Sequence, residues 1–527
     1  MQELEAKFLT TSGKPPEDVV RRLQESLAWA GFRIQPKGRR SFTDRYFDTV
    51  DHQLRAAGWS YRERQDEQGR RVALKEVTRS RAAIFDREEV EQPLRRDEDL
   101  GHPGPGPVKD RLSNVLHPDA EVAPLFSMES DRAAYDLSHP DHPRGLVEMA
   151  FDHARIHARD RIDFRELAIA LKTGPHELLA RILAAVELEP ALIEARLSKY
   201  ERGLIAAGCP LERRRALKSS ALGRESRWLD VAVSQLKAQL YDIKLYEPYA
   251  WEGVHVEGVH QMRVATRRAR AALRAFSAVL PPKEANRLAP RVRWLTSVLG
   301  KVRDLDVQQA HLASYRRRLE PYEQATLSHY EQHLAQLHEA AHRQLIAALS
   351  SDEYSALIAD FRALLEASLK PENASSLRVR DIAERSVTPL LERVYHRGRS
   401  IAERSTDKHL HRLRIDVKRL RYQLEFLGGA CGGELDGAVT ALKNLQERLG
   451  KHQDACVARA HLARYRKQHA ADQWERDLFK TLIRREKRRA RKQRHRFPGE
   501  WARFEAASAD LPDRLQRSRT APTRRHI

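Results

Sequence analysis

The chain has 527 residues, a length for three or four folding units rather than one. It is 41% hydrophobic but has no run of about 18 apolar residues, so folded cores are expected and a membrane span or membrane partner is not. Its net charge of +21 is uneven: residues 1–205 carry −3 and residues 206–527 carry +24, an electrostatic footprint for a polyanion. Met1-Gln2-Glu3-Leu4-Glu5 has no basic region followed by an apolar stretch, so no secretory signal is expected there. Cys209, Cys431 and Cys456 are scattered and fit neither a zinc spacing nor a disulfide framework, which predicts a cytoplasmic location.

Residues 1–205 read as α+β. Alternating segments at 4–8, 43–48, 60–64, 72–77, 87–91, 146–152 and 165–172 predict half-buried strands. An amphipathic helix is predicted over 15–30, with Pro near its start and Gly31 past its end. Gly and Pro make 101–107 a loop. Many strands and few helices predict a closed or nearly closed antiparallel barrel. Residues 206–220 read as a linker. Residues 221–515 read as long helices rich in Ala, Leu, Arg and Glu, interrupted near Pro371 and Asn373. They divide into halves of about 221–370 and 377–515, predicted to be two helical bundles related by a pseudo-twofold axis. Residues 516–527 read as a basic, disordered tail.

Along the first strand Glu3, Glu5 and Lys7 project from one face. Arg62, Arg64, Lys75, Arg87 and Arg132 repeat that polar facing on later segments. Carboxylates beside several cations suit metal-assisted phosphoryl chemistry: oxygens hold a hard divalent ion, and Arg and Lys neutralise phosphate oxygens. A solvated outer face is the competing explanation for any one pair. Three same-face charges together with the Arg/Lys set favour a site.

Those residues lie in motifs that resemble the CYTH domain of the triphosphate tunnel metalloenzymes. The Glu-x-Glu-x-Lys signature stands at Glu3–Lys7. Asp44-Arg45-Tyr46-Phe47-Asp48-Thr49, Tyr61-Arg62-Glu63-Arg64, Ala73-Leu74-Lys75 and Leu197-Ser198-Lys199-Tyr200-Glu201-Arg202-Gly203 also match. The resemblance implies an eight-stranded tunnel that binds a triphosphate group with Mg²⁺ or Mn²⁺. It implies metal ligands at Glu3, Glu5 and Glu166, and catalytic roles for Glu3, Glu5 and Lys7. Phosphate contacts fall to Lys7, Arg62, Arg64, Lys75, Arg87 and Arg132. One departure stands out: a late family strand reads Glu-Leu-Glu-x-Glu-Leu, whereas this chain has Glu166-Leu167-Ala168-Ile169-Ala170-Leu171. Missing oxygens at Ala168 and Ala170 put hydrolysis in doubt and leave anion binding intact.

The helical region repeats a cationic stripe. His260, Arg263, Arg267 and Arg270 recur as His411, Arg414, Lys418 and Arg421, all four offset by 151 positions. The spacing places each set on one helical face, where an apolar stripe is usual and a cationic one asks for an anion. Leu299-Gly300-Lys301-Val302-Arg303-Asp304 likewise matches Leu449-Gly450-Lys451-His452-Gln453-Asp454, adding Arg303 and His452 to the candidate anion contacts. Asp304 and Asp454 are read as orienting neighbouring Arg or His. The histidines at 329, 333, 338 and 342 are read as a solvated face. These duplicated segments resemble the CHAD domain, a helical module found beside CYTH domains and associated with inorganic polyphosphate.

Three functions compete, and the tunnel motifs leave open a fourth in which a nucleoside or thiamine triphosphate, or cyclase activity, replaces tripolyphosphate. The leading one is binding of polyphosphate by the helices and of tripolyphosphate by the tunnel, with divalent-metal-dependent triphosphatase activity as its catalytic form. The alternative is a non-catalytic polyphosphate-binding protein, associated with polyphosphate granules, whose tunnel site is degenerate. Specific nucleic-acid binding is not expected, since no reader motif appears and aromatics are 7% of residues.

Overall fold

Strand alternation places two different chemistries on the two faces of one sheet. The computed structural model describes residues 2–10, 16–77, 83–95, 98, 100, 103–209, 222–373, 375–402, 405–431, 433–470 and 472–517. These fall into two compact units, Met1–Arg213 with Leu245–Gly258, and Arg214–Lys244 with Val259–Ile527. Most of the expected linker and tail, 210–221 and 518–527, lies outside the described residues.

The first unit contains β1 (Gln2–Thr10), β2 (Arg33–Thr49), β3 (Trp59–Asp66), β4 (Gly69–Glu76), β5 (Ile84–Pro93), β6 (Val122–His139), β7 (His142–His157), β8 (Ile162–Thr173) and β9 (Leu192–Glu194). The order β5-β4-β3-β2-β6-β7-β8-β1 is closed by pairing of β1 with β5, so eight antiparallel strands form a barrel with no free edge. The short β9 pairs with the end of β1. On β1, β7 and β8, alternate residues Ala6, Phe8, Val147, Met149, Leu167 and Ile169 point outward. They pack on Val19, Leu23 and Leu27 of the helix Pro16–Trp29 and on Leu178 and Ile182 of the helix His176–Glu187. The intervening residues face inward, which sends Glu5, Lys7, Asp152, Glu166, Ala168 and Ala170 into the barrel. A further helix, Lys199–Ala207, starts at a capping box in which Ser198 and Glu201 satisfy each other's backbone N–H groups. It lies close against β6: a Cβ added at Gly203 would sit 1.9 Å from the Phe126 ring. Gly alone allows that approach.

The second unit is all-helical among the described residues. In its first half the helix Pro282–Arg316 packs on Pro321–Leu349 and Asp352–Ala367; in its second the helix Asp436–Gln468 packs on Gln473–His495 and Phe497–Ser508. The expected pseudo-twofold relation appears directly in the hydrogen bonds. Trp228 N–H donates to the Leu377 carbonyl at 2.7 Å, and Val379 N–H donates to the Ser226 carbonyl at 3.0 Å. Each bond is the other's image at the 151-residue offset, as a twofold axis requires. Arg227 and Arg378, themselves equivalent, form the bridge between them. Among the described residues no helix is long and apolar enough to cross a membrane.

Candidate functional site

Inside the barrel the predicted cations share one inner face and are each engaged by carboxylates. Arg64 binds Asp44 bidentately at 2.7 and 2.9 Å; Arg62 reaches Asp44 at 3.4 Å and Glu89 at 3.3 Å; Lys75 pairs with Glu89 at 2.7 Å. A second chain runs from Arg87 through Glu5 (3.4 Å) and Lys7 (3.0 Å) to Glu166 (3.8 Å), then through Lys199 to Asp152. Arg132 grips Asp152 with two bonds of 2.7 Å. Burial alone would raise the carboxyl pKa of Asp44, but Arg62 and Arg64 outweigh it and hold Asp44 at about 2. Glu166 behaves alike: Lys7, Arg202 and Lys199 overcome its burial and hold it at about 2. Across these two chains, seven cations, Lys199 included, face five carboxylates. The excess positive charge suits an anion, and the Arg side chains can exchange carboxylate for phosphate oxygens without changing geometry class.

Three of these participants were given no role from sequence: Lys199, Asp44 and Glu89. Lys199 opens a helix after its Ser198 cap, so strand alternation could not flag it, although its motif had been noted. Asp44 and Glu89 acquire a role only through cross-strand register, which sets Asp44 opposite Arg64 and Glu89 opposite Lys75.

A divalent cation needs several oxygens converging on one point. Ala168 and Ala170 stand opposite Lys7 and Glu5 and offer none. Glu166 is fully buried and already engaged by Arg202, Lys199 and Lys7. Among the described residues no three acidic groups converge in the barrel. Glu3 pairs with Arg87 through its backbone, while its side chain lies outside the described residues. The described side chains therefore do not complete a metal cage around Glu5.

In the helical unit the two stripes meet. His260, Arg263, Arg267 and Arg270 lie on the helix Val256–Ala275; His411, Arg414, Lys418 and Arg421 lie on Asp407–Gly428. Burial, reinforced by Arg267, Arg414, Arg263 and Arg421, drives the Lys418 amine down to about 6. Burial and then Arg267 lower Arg263; burial lowers Arg414, with Arg267 adding to it and Asp454 opposing. Among the described residues no carboxylate lies within 4 Å of Arg267, Arg270, Arg414 or Lys418. The Nε atoms of Arg263 and Arg414, equivalent at offset 151, are both buried with no hydrogen-bond partner. Gly300 and Gly450 lie beside them: a Cβ there would sit at ordinary contact distance, 3.6 Å from Arg263 Nε and 4.0 Å from Arg414 Nε.

The patch continues into a cavity of about 780 Å³ whose cationic lining is Arg267, Arg270, Arg274, Arg393, Lys418 and Arg419. Arg274 continues the first stripe but its equivalent at offset 151 is Glu425, Arg419 lies off the second stripe beside Lys418, and Arg393 is on the separate helix Val379–Arg399, so the duplicated stripe marked none of them. Other predicted residues are less available. Arg421 is paired with Glu425 at 2.7 Å, Arg303 stands 3.8 Å from Asp306, and His411 bonds Gln453 at 2.9 Å. His452 is only 2% exposed and contacts Asp407 and Cys456 instead of joining the patch. Arg263 does have Asp304 nearby, at 3.8 Å.

Residues 1–204 match the sequence profile of the CYTH domain and residues 234–463 that of the CHAD domain. Two uncharacterized proteins of Mycobacterium tuberculosis, MT2285 and Rv2226, are 28% identical over 214 residues, 39% of this chain and 40% of theirs. The chain thus spans about two fifths of the length of these curated relatives. Among solved structures, the CHAD domain from the plant Ricinus communis is 27% identical with a TM-score of 0.45, covering 55% of this chain and 94% of that one. A Hippeastrum protein, named as an adenylyl cyclase candidate with a dominant triphosphatase activity, is 13% identical with a TM-score of 0.29, covering 39% and 96%. With an eight-stranded closed barrel over the first matched segment and a duplicated helical unit over the second, this chain belongs to the proteins that join a CYTH domain to a CHAD domain.

Proposed function

We propose that the helical unit binds inorganic polyphosphate on the merged stripes and that the barrel takes a triphosphate group, such as tripolyphosphate, among its inner cations. The observation that carries this reading is the pair of equivalent, buried Arg263 and Arg414 Nε donors without hydrogen-bond partners, in a cluster where Arg267, Arg270, Arg414 and Lys418 have no described carboxylate within 4 Å. A phosphate chain supplies acceptors and opposite charge to both equivalent donors at once. CHAD domains are associated with polyphosphate binding, and the CYTH superfamily includes divalent-metal-dependent triphosphatases.

In the barrel, Lys7, Arg62, Arg64, Lys75, Arg87 and Arg132 would neutralise phosphate oxygens and fix the chain's orientation. Lys199 adds a cation behind them. A divalent ion such as Mg²⁺ or Mn²⁺ beside Glu5 would supply charge neutralisation, but it would need oxygens beyond those the described side chains offer. Binding without turnover is the second reading, and inward-facing Ala168 and Ala170 favour it.

Two assays separate the claims. Polyphosphate affinity should fall at least about tenfold when Arg263, Arg267, Arg414 and Lys418 are replaced together by Gln; unchanged affinity would remove the stripes as the site. Phosphate release from tripolyphosphate with Mg²⁺ or Mn²⁺ should vanish in Glu5→Ala. Absence of release from the unaltered chain under either ion would leave the non-catalytic reading standing.

A further inference from the structure

We propose that Asp407, His452 and Cys456 form a binding site for one divalent transition-metal ion of the Zn²⁺ class, separate from the basic patch. Sequence spacing alone suggested no metal role for the cysteines. The fold creates one by uniting two elements. His452 and Cys456 stand four residues apart on one face of the helix Asp436–Gln468, and Asp407 opens the helix Asp407–Gly428 beside them. Among the described residues this is the group of three His, Cys, Asp or Glu side chains whose donor atoms all lie within 4.8 Å of one another.

The donor set is nitrogen, sulfur and oxygen, a combination that suits Zn²⁺ and its neighbours and does not suit Mg²⁺. Tetrahedral zinc, with bonds near 2.0 Å to N and O and 2.3 Å to S, sets donor separations of roughly 3.3 Å for N to O and 3.6 Å for N to S. Here His452 Nε2 stands 3.3 Å from Asp407 Oδ1, and Cys456 Sγ stands 3.9 and 4.0 Å from the two His452 ring nitrogens. All three donors lie within 4.8 Å of one another, so the site requires side-chain rotation to draw them onto one ion. His452 is almost fully buried, which fixes the ring, whereas Cys456 and Asp407 retain partial exposure and leave an entry path.

Two arginines flank the group. Arg459 donates to Asp407 Oδ2 at 2.9 Å and Arg494 donates to Oδ1 at 2.7 Å. They add positive charge, which weakens affinity for any cation, but they also hold the carboxylate in place as outer-shell partners hold metal ligands. Each carboxylate oxygen has two lone pairs, so Oδ1 can serve Arg494 and a metal together. On binding, the Cys456 S–H bond breaks, its proton leaves to solvent, and a metal–sulfur bond forms. That makes three protein ligands; the fourth position falls to water or an anion.

Co²⁺ is the probe, because a cobalt–thiolate bond gives a charge-transfer absorption that oxygen and nitrogen ligands do not. The full chain, free of purification tags, should show this band saturating at one Co²⁺ per chain, and Zn²⁺ should abolish it by displacement. Cys456→Ser should lose the band, with an unchanged circular dichroism spectrum showing that the chain still folds. Cys209→Ser and Cys431→Ser should keep it. The proposal is overturned if the unaltered chain shows no thiolate band, if the band survives Cys456→Ser, or if either control cysteine is needed for it.

Discussion

Lys418 concentrates the chemistry of the helical patch in one titratable group. Its amine ordinarily protonates near 10.5, but burial and four surrounding arginines hold it down to about 6. Between those values the unfolded chain carries a proton that the folded, ligand-free chain lacks. Stability of the free protein therefore rises with pH across that window and declines as pH falls toward 6. A bound phosphate chain reverses the repulsion and raises the Lys418 pKa. Polyphosphate binding near pH 8 should thus take up about one proton, and affinity should strengthen as pH falls toward 6. Calorimetry in two buffers of different ionisation enthalpy measures the uptake directly. Lys418→Met should abolish it while leaving weaker binding behind. Equal heats in both buffers for the unaltered chain would show that Lys418 stays neutral in the complex.

At the scale of elements, register decides what each side chain can do. Seven of the eight barrel strands are legible as alternating segments, because one face of each is apolar. The eighth, β6, hides its alternation: Phe126 and Met128 are followed at the next buried position by Ser130, and Arg132 finds its reason only in Asp152 on the neighbouring strand. The cationic stripes were legible for a related reason, since duplication marks them twice. Their convergence was not, because it depends on the twofold axis through Arg227 and Arg378. Register also makes the doubtful catalysis testable. Ala168 and Ala170 lie opposite Lys7 and Glu5 on β1, so Ala168→Glu with Ala170→Glu places two carboxylates on the inner face beside Glu5. If missing oxygens limit the tunnel, the double variant should gain roughly tenfold in Mn²⁺-dependent tripolyphosphate turnover, a barrier change of about 1.4 kcal/mol. Unaltered turnover with a normal melting temperature would show that the shortage lies elsewhere.

At the scale of the molecule, folding units and sequence segments do not coincide. The CYTH match ends at residue 204, yet the first unit also includes Leu245–Gly258. Packing and charge both join them: Tyr249, with Leu245, Tyr246 and Val254, packs into the apolar cluster of Phe126, Ile156 and Leu204. Arg202 is fully buried between two carboxylates, Glu166 within the barrel and Glu252 from the later segment, the latter accepting bonds of 2.7 and 3.0 Å. Glu252 Oε1 also accepts the backbone N–H groups of Arg196 and Leu197, at 2.7 and 2.8 Å. Nothing in local sequence joins residue 252 to a barrel that appears complete fifty positions earlier. Glu252→Leu removes one partner of a buried ion pair and should cost about 3–5 kcal/mol in the stability of the first unit. Adding Arg202→Met removes the stranded charge and should recover part of that loss, though not the two backbone bonds. Urea unfolding of the four chains of this cycle, followed through barrel fluorescence, measures the coupling. Additive losses would mean that Arg202 and Glu252 stabilise the unit independently and that the barrel does not depend on its distant carboxylate.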